Sequence, residues 1–386
     1  MDFALPRPHD RRRRPLTLAT LVAVAAALLL GFAANAQAQQ LGRRTSQRLD
    51  RTLDAALAET WAPGVIAGVW VGDRGWTAAR GTADRATGAR ATLTDHTRIG
   101  SVTKTFTGTL VLQLVDEGRV RLDDTIERWF PTLAGAGGIT IRDLGTMASG
   151  IASYSLDPTI AGRYLARPQT VFTPAELIAA AAGLPRDFAP GHGFRYSNTN
   201  FVMLGQIVEQ VTGRPLAEVM RTKLFAPLGM RHTSYVASTR LPRPSWHGYT
   251  LQGSDGEILD ATAWSPTFAG AAGQITSTLG DLRRWTRAVG SGTLLKPATQ
   301  RVRLQPNPAS ASGGRAYAFA IGKAKGWLMH SGELPGFNTQ IAYLPARRLS
   351  IVVMTNADIA TAAGNPAPAI FNALAQVVAP GTLPRG

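Results

Sequence analysis

The sequence predicts an α/β fold: a mainly antiparallel sheet built from both chain ends and flanked by helices, beside an all-helical lobe. Three observations carry that prediction. Strand signals stand near the start of the chain, at 64–72, which is dense in Val and Ile, and at 75–81 across a tight turn. Matching signals return near its end, at 317–321, 327–329, 337–344 and 349–355. Between them the apolar spacing becomes helical, with Pro- and Gly-rich connections. Strands at both ends around a helical middle imply one sheet shared by the two ends.

The first residues combine an Arg cluster at 11–14, an apolar run over 16–32 and small residues ending Ala36-Gln37-Ala38. That order matches a secretory signal peptide over 1–38, cleaved before Gln39, so the protein is expected to be exported and periplasmic or extracellular. The apolar run is short and Ala-rich for a membrane anchor, which needs about 20 strongly apolar residues. Arg13-Arg14-Pro15-Leu16 also resembles a twin-arginine export signal. Residues 39–386 are expected to form a single domain, with a sheet lobe near 45–98 and 250–380 and a helical lobe near 99–249.

Within that domain, residues 45–60 set Leu49, Leu53, Ala56 and Leu57 on one helical face. Segments 64–72 and 75–81 flank the tight turn Gly72-Asp73-Arg74-Gly75 and read as an antiparallel hairpin. Helices are expected over 103–117, 140–147, 174–182, 200–211 and 281–289. At 337–344, Phe337, Thr339, Ile341 and Tyr343 alternate with Asn338, Gln340 and Ala342 in the manner of a half-buried strand. A closing helix is expected over 367–378.

Composition narrows the chemistry. With no Cys, the chain has no disulfide, thiolate metal site or Cys nucleophile. The formal net charge is +16, and loss of residues 1–38, with five Arg against Asp2 and Asp10, lowers it by three. The remaining Arg residues are scattered singly or in pairs, without a basic stripe or interleaved aromatics, so a solvated basic surface and no nucleic-acid partner are expected. His96, His192, His232 and His247 lack metal-ligand spacing, and Gly270-Ala271-Ala272-Gly273-Gln274 lacks the ending of a phosphate-cradling loop. No metal and no cofactor are expected.

The residues that carry chemistry begin at Gly100-Ser101-Val102-Thr103-Lys104, at the head of a helix apolar on most sides and therefore buried. An N-cap serine would be the ordinary explanation, but a capping box would put Glu or Gln where Lys104 stands. A cation in the first turn also opposes the helix dipole. Residues three apart share a helix face, so the Lys104 amine reaches the Ser101 hydroxyl. Desolvation lowers the pKa of such an amine and lets it accept the serine proton. Two further segments are weak alone: Arg195-Tyr196-Ser197-Asn198 before a helix, where Ser197 or Asn198 reads as a cap, and Met329-His330-Ser331-Gly332-Glu333 at a strand end. A Ser-His-Asp triad through His330 stays open at this point, although no G-x-S-x-G elbow accompanies it.

Taken in order, Ser101-x-x-Lys104, Tyr196-x-Asn198 and His330-Ser331-Gly332 resemble the serine β-lactamase and penicillin-binding-protein superfamily. The nearest branch is that of the class C β-lactamases and the secreted D-alanyl-D-alanine carboxypeptidases. The resemblance extends to Phe188-Ala189-Pro190-Gly191, to Leu224-Phe225-Ala226-Pro227-Leu228-Gly229-Met230 and to Leu334-Pro335-Gly336-Phe337, over roughly 45–378. It implies Ser101 as nucleophile, Lys104 as base or proton relay and Tyr196 as general acid/base. It further implies that Asn198 holds Lys104 and a substrate amide, that the amides of Ser101 and Glu333 form an oxyanion hole, and that Ser331 contacts the substrate. His330, Gly332 and Glu333 complete the expected substrate-binding strand. Two departures stand out. His330 replaces the Lys of the lactamase Lys-Thr-Gly, and Met147-Ala148-Ser149-Gly150-Ile151 stands where many relatives have His-Thr-Ser-Gly-Ile. The implied activity is a serine-type D-Ala-D-Ala carboxypeptidase, with a β-lactamase or short-chain esterase as the alternative and a non-catalytic penicillin-binding sensor as a second class. The partner is a small peptide, ester or β-lactam, with peptidoglycan as the polymer source. The sequence fixes no oligomeric state.

Overall fold

The computed structural model describes Met1 and residues 40–383, so the expected signal peptide lies, apart from its first residue, outside the described residues. Arg43–Ala58 forms α1, and Gly64–Val71 (β1) and Arg74–Asp84 (β2) form the expected hairpin, with Ala89–Arg90 (β3) at its edge. Five short strands follow: Thr97–Arg98 (β4), Ser234–Tyr235 (β5), Tyr249–Thr250 (β6), Leu259–Asp260 (β7) and Ile275–Ser277 (β8). The last part of the chain supplies Arg315–Ala318 (β9), Ile321–Ala324 (β10), Trp327–Leu334 (β11), Phe337–Leu344 (β12) and Leu349–Thr355 (β13). The main sheet runs β3-β2-β1-β13-β12-β11-β10-β9, and all its pairings are antiparallel. Strand β1 pairs with β13 inside that sheet, where Gly68 faces Val352, so the two ends of the chain do build one sheet.

Alternation along β1 explains why both faces are covered. Val65, Ala67 and Val69 face one apolar layer with Leu49 and Leu53 of α1 and with Ile370 and Leu374 of Pro366–Val378. Ile66 and Trp70 face the other, which holds Phe106 and Trp285. Successive strand residues point to opposite faces, so in a sheet with helices on both sides the residues of both parities are buried. That corrects the expectation for β12: all eight of its residues are buried.

The helices between are α2 (Thr103–Asp116), α3 (Ile141–Gly145), α4 (Pro158–Ala166), α5 (Pro174–Ala182), α6 (Asn198–Thr212), α7 (Leu216–Met220), α8 (Leu279–Ser291) and α9 (Pro297–Arg303), with Pro366–Val378 as α10. α2 is buried along nearly its whole length, and Phe106 stacks on Trp285 of α8 at a centroid distance of 3.6 Å. The capping box of Thr173 with Glu176 starts α5, and Asp157 caps α4 by accepting from Ile160 N. The helical part also holds β5, and β4, β8 and β5 form a small sheet of their own. No helix among the described residues is long and apolar enough to cross a membrane.

Two strand expectations are corrected. The run 317–321 is not one strand but the end of β9, a turn at Phe319-Ala320 and the start of β10. That turn is held from outside, by Phe319 N donating to Arg303 O and Ala320 N to Gly145 O, with Ala320 in the left-handed region. Strand β11 does not stop at Met329 but runs through His330, Ser331, Gly332 and Glu333 to Leu334, placing the third motif within the sheet.

Candidate active site

Ser101 lies in a short 3₁₀ turn, Gly100–Val102, that leads directly into α2. The turn is pressed against β11 at two glycines. A Cβ on Gly100, whose φ is +49°, would stand 2.4 Å from Glu333 N, and one on Gly332 would stand 1.9 Å from Ile99 O and 3.0 Å from Ser101 N. Only the missing side chains allow this backbone contact, which sets the amides of Ser101 and Glu333 beside one another. Gly332 was expected among the substrate-binding residues, and its place in the structure is this packing contact.

Lys104 is fully buried one turn further on. Its Nζ lies 2.8 Å from Ser101 Oγ, 2.7 Å from Asn198 Oδ1 and 3.0 Å from Ala272 O. Burial holds its pKa well below the ordinary lysine value. Two of the three partners are carbonyl oxygens that only accept. A neutral amine gives them its two N–H groups and turns its lone pair to the Ser101 hydroxyl. The segment Gly270–Ala272, read in the sequence only as a failed phosphate loop, supplies one of those carbonyls. A backbone acceptor leaves no residue-type signal in a sequence.

Tyr196 precedes α6. Its ring borders the cleft, 39% exposed, with its centroid 4.8 Å from Lys104 Nζ, and partial desolvation raises the pKa of its hydroxyl, with an opposing effect from the nearby Ser101. Asn198 is the first residue of α6, and Ser197 sits at the cap position without a side-chain capping bond. The capping explanation for this motif is therefore not realised. What holds the loop instead is the segment after α3. Met147, in the left-handed region, accepts Arg195 N–H at its carbonyl (3.1 Å) and Ser197 N–H at its sulfur (3.4 Å). Ser153 Oγ accepts from Asn198 N at 3.3 Å, and Ser149 Oγ donates to Asn200 Oδ1 at 2.8 Å. The Met147-Ala148-Ser149-Gly150 departure is thus the seat of the Tyr196–Asn198 loop.

His330 is buried, and both ring nitrogens are taken by the protein. Nδ1 faces Ser331 O at 2.6 Å and must donate to it, which leaves Nε2 to accept from Tyr317 Oη at 3.0 Å. Burial and the neighbouring Lys104 push its pKa down to about 3, so the ring is neutral. Neither ring nitrogen is left to bond a substrate, although the ring borders the larger cavity beside Ser101. No carboxylate orients it either, so the Ser-His-Asp alternative falls. Ser331 and Glu333, by contrast, are exposed to the cleft.

Two cavities open from Ser101. The smaller, about 340 Å³, is lined by Tyr154, Tyr164, Phe268, Asn198 and Glu333. The larger, about 560 Å³, is lined by Tyr196, Ser331, Arg315, Lys323 and Glu333. Lys323 Nζ also donates to Leu304 O at 2.6 Å. Of the remaining histidines, His96 bonds Pro244 O and His247 pairs with Asp260, which accounts for both as local structure.

A large antiparallel sheet, a buried helix and a serine backed by a lysine at its head define the β-lactamase/transpeptidase-like class of serine hydrolases. The chain belongs to the Beta-lactamase family, whose model matches residues 49–375. Among curated relatives, Penicillin-binding protein 4 of Amycolatopsis lactamdurans is 28% identical over 331 residues, covering 80% of this chain and 84% of that protein. A D-stereospecific amidohydrolase from Streptomyces sp. shares 31% identity with a TM-score of 0.74, over 81% of this chain and 94% of that one. The D-amino acid amidase from Ochrobactrum anthropi SV3, solved with D-phenylalanine, has the same fold, with a TM-score of 0.75 at 24% identity over 87% and 98% of the chains.

Proposed function

We propose that the protein hydrolyses an amide bond at a D-configured residue through an acyl-enzyme on Ser101, releasing a leaving group that carries a carboxylate. Release of a terminal D-amino acid, as in a D-Ala-D-Ala carboxypeptidase, is one such reaction. The observation that carries the reading is the fully buried Lys104 amine 2.8 Å from Ser101 Oγ with two carbonyls on its other sides. Ser101 Oγ attacks the carbonyl carbon as its proton passes to Lys104 Nζ. The oxyanion sits between the amides of Ser101 and Glu333. The register supports a free Glu333 N–H: Leu334 and Phe337 close the hairpin, so Glu333 occupies the next position, whose N–H points away from β12. The C–N bond then breaks, and the departing nitrogen takes a proton through Tyr196. Water attacks the ester, the C–Oγ bond breaks, and Ser101 regains its proton.

Tyr196 borders the larger cavity, which also offers the cations Arg315 and Lys323. That is where a leaving group with a carboxylate fits. The D-configuration rests on the amidohydrolase likeness. Export through residues 1–38 belongs to the same proposal, and sequencing the mature N-terminus of protein recovered outside the cytoplasm tests it. For the chemistry, intact-mass spectrometry after mixing with p-nitrophenyl acetate, nitrocefin and a D-Ala-D-Ala peptide should find an adduct that Ser101→Ala abolishes. Labelling without turnover of any substrate would favour the penicillin-binding sensor instead. Undiminished labelling of the Ala variant would move the nucleophile elsewhere.

A further inference from the structure

The two cavities divide the substrate between them. Both meet at Ser101, but Tyr196 lines only the larger. A general acid has to reach the leaving group, so the acyl group occupies the smaller cavity. Its walls include the aromatic rings of Tyr154, Tyr164 and Phe268, and its one acidic residue is Glu333.

Glu333 directly follows Gly332, and its own amide lies at the contact with the Ser101 turn. The residue is partly exposed and lines both cavities, and its carboxylate accepts from Asn365 Nδ2 at 2.6 Å. Among the described residues no Lys, Arg or His forms an ion pair with it. Behind it stands Asp358, buried and bonded to Thr250 Oγ1 and Gly336 N, which adds to the local negative field. Partial desolvation of the Glu333 carboxyl and the nearby Asp358 together raise its pKa to about 7. A cation placed beside it would reverse both effects.

We infer that the Glu333 carboxylate recognises a free α-ammonium group on the residue that acylates Ser101. The preferred acyl donor is then an N-terminal amino acid with an apolar or aromatic side chain, in an amide or a dipeptide, rather than the interior of an N-acylated peptide. An α-ammonium is two bonds from the carbonyl carbon that Ser101 attacks. Glu333 is the residue whose amide flanks that carbonyl's oxygen, so its side chain is within reach of the amine. The aromatic walls receive the donor's side chain. This inference rests on the acyl-enzyme reading above and narrows its substrate.

The test compares D-phenylalanine p-nitroanilide with 3-phenylpropanoyl p-nitroanilide, which lacks only the amine. The wild-type protein should favour the amine substrate in kcat/KM by about tenfold or more, mainly through KM. Glu333→Gln should lower that ratio by about tenfold, and Glu333→Lys should bring it below one. A wild-type ratio of one or less overturns the inference without need of any variant, as does a ratio in folded Glu333→Gln within threefold of wild type. Intact-mass detection of an acetyl group on Ser101 after p-nitrophenyl acetate separates the two levels. An adduct with no amine preference sinks only the Glu333 assignment, whereas no adduct from any substrate sinks the acyl-enzyme reading and this inference with it.

Discussion

Gly332→Ala adds one methyl group at the point where β11 meets the nucleophile turn. The added Cβ would lie 1.9 Å from Ile99 O, 2.9 Å from Ile99 C and 3.0 Å from Ser101 N. All three are backbone atoms, so no change of rotamer relieves the clash. Cβ contacts under 3.0 Å are essentially not tolerated, so strand and turn must part by about 1 Å, a misplacement that costs an active site on the order of 10²-fold. Overpacking of this kind costs about 1–3 kcal/mol, against a typical domain stability of about 5–15 kcal/mol, so the variant should still fold. The assay is kcat for a p-nitrophenyl ester, with the rate of Ser101 acylation followed by intact mass and folding checked by thermal melting. Gly162 serves as the control. It is exposed within α4 with no atom within 4 Å of its Cβ position, so Gly162→Ala should stabilise by about 0.5–1 kcal/mol and leave the rate alone. A folded Gly332→Ala variant with kcat within threefold of wild type would refute the argument that this contact sets the geometry of the site.

Lys104→Arg should slow acylation by about 10²–10⁴-fold, because a guanidinium keeps its proton and gives Ser101 no base. A variant retaining more than a tenth of the rate would remove Lys104 from that role. Since burial lowers the Lys104 pKa, the amine is neutral over a range where free lysine is charged. Acylation by an uncharged ester should therefore fall as pH drops through that lowered value, and a pH–rate profile that rises on acidification would contradict it. Tyr317→Phe removes the donor to His330 Nε2 and strands a buried acceptor, which should cost about 1–3 kcal/mol in urea unfolding. A loss under about 0.5 kcal/mol would mean that the bond does not hold the ring.

Local patterning explains which parts of this molecule could be read in advance. β12 shows apolar residues in alternation and β13 is a run dense in Val, Ile and Leu, and the limits of both follow from the sequence. The helix Pro158–Ala166 was missed although Asp157-Pro158 is a sound start signal, because Gly162 in its middle weakens the pattern and it lacks the capping box that marks the equally short Pro174–Ala182. The Phe319-Ala320 turn was missed because it contains no turn residue. It exists through bonds to Arg303 and Gly145, which are distant in sequence. The same division runs through the site. The Ser101–Lys104 pair is legible because three-residue spacing on a helix is a local fact. The Asn198 amide reaches Lys104 across 94 positions and was found only through its motif. Ala272 O and the Met147 sulfur were not found, since neither a main-chain carbonyl nor a thioether marks its role in a sequence.

His330 shows how a residue named by a motif can be held by residues outside every motif. The sequence placed an imidazole where relatives carry an ammonium and invited a comparison of charge. In the structure the ring is neutral, and its Nε2 accepts from Tyr317, a residue with no part in any of the three motifs. The difference between Lys and His at this position is thus one of anchoring before it is one of charge. A charged Lys at residue 330 could not accept from the Tyr317 hydroxyl as Nε2 does, and it would bring a second amine toward Lys104. That electrostatic cost would raise the barrier to protonating either amine, and it acts on the base itself before it acts on any substrate carboxylate.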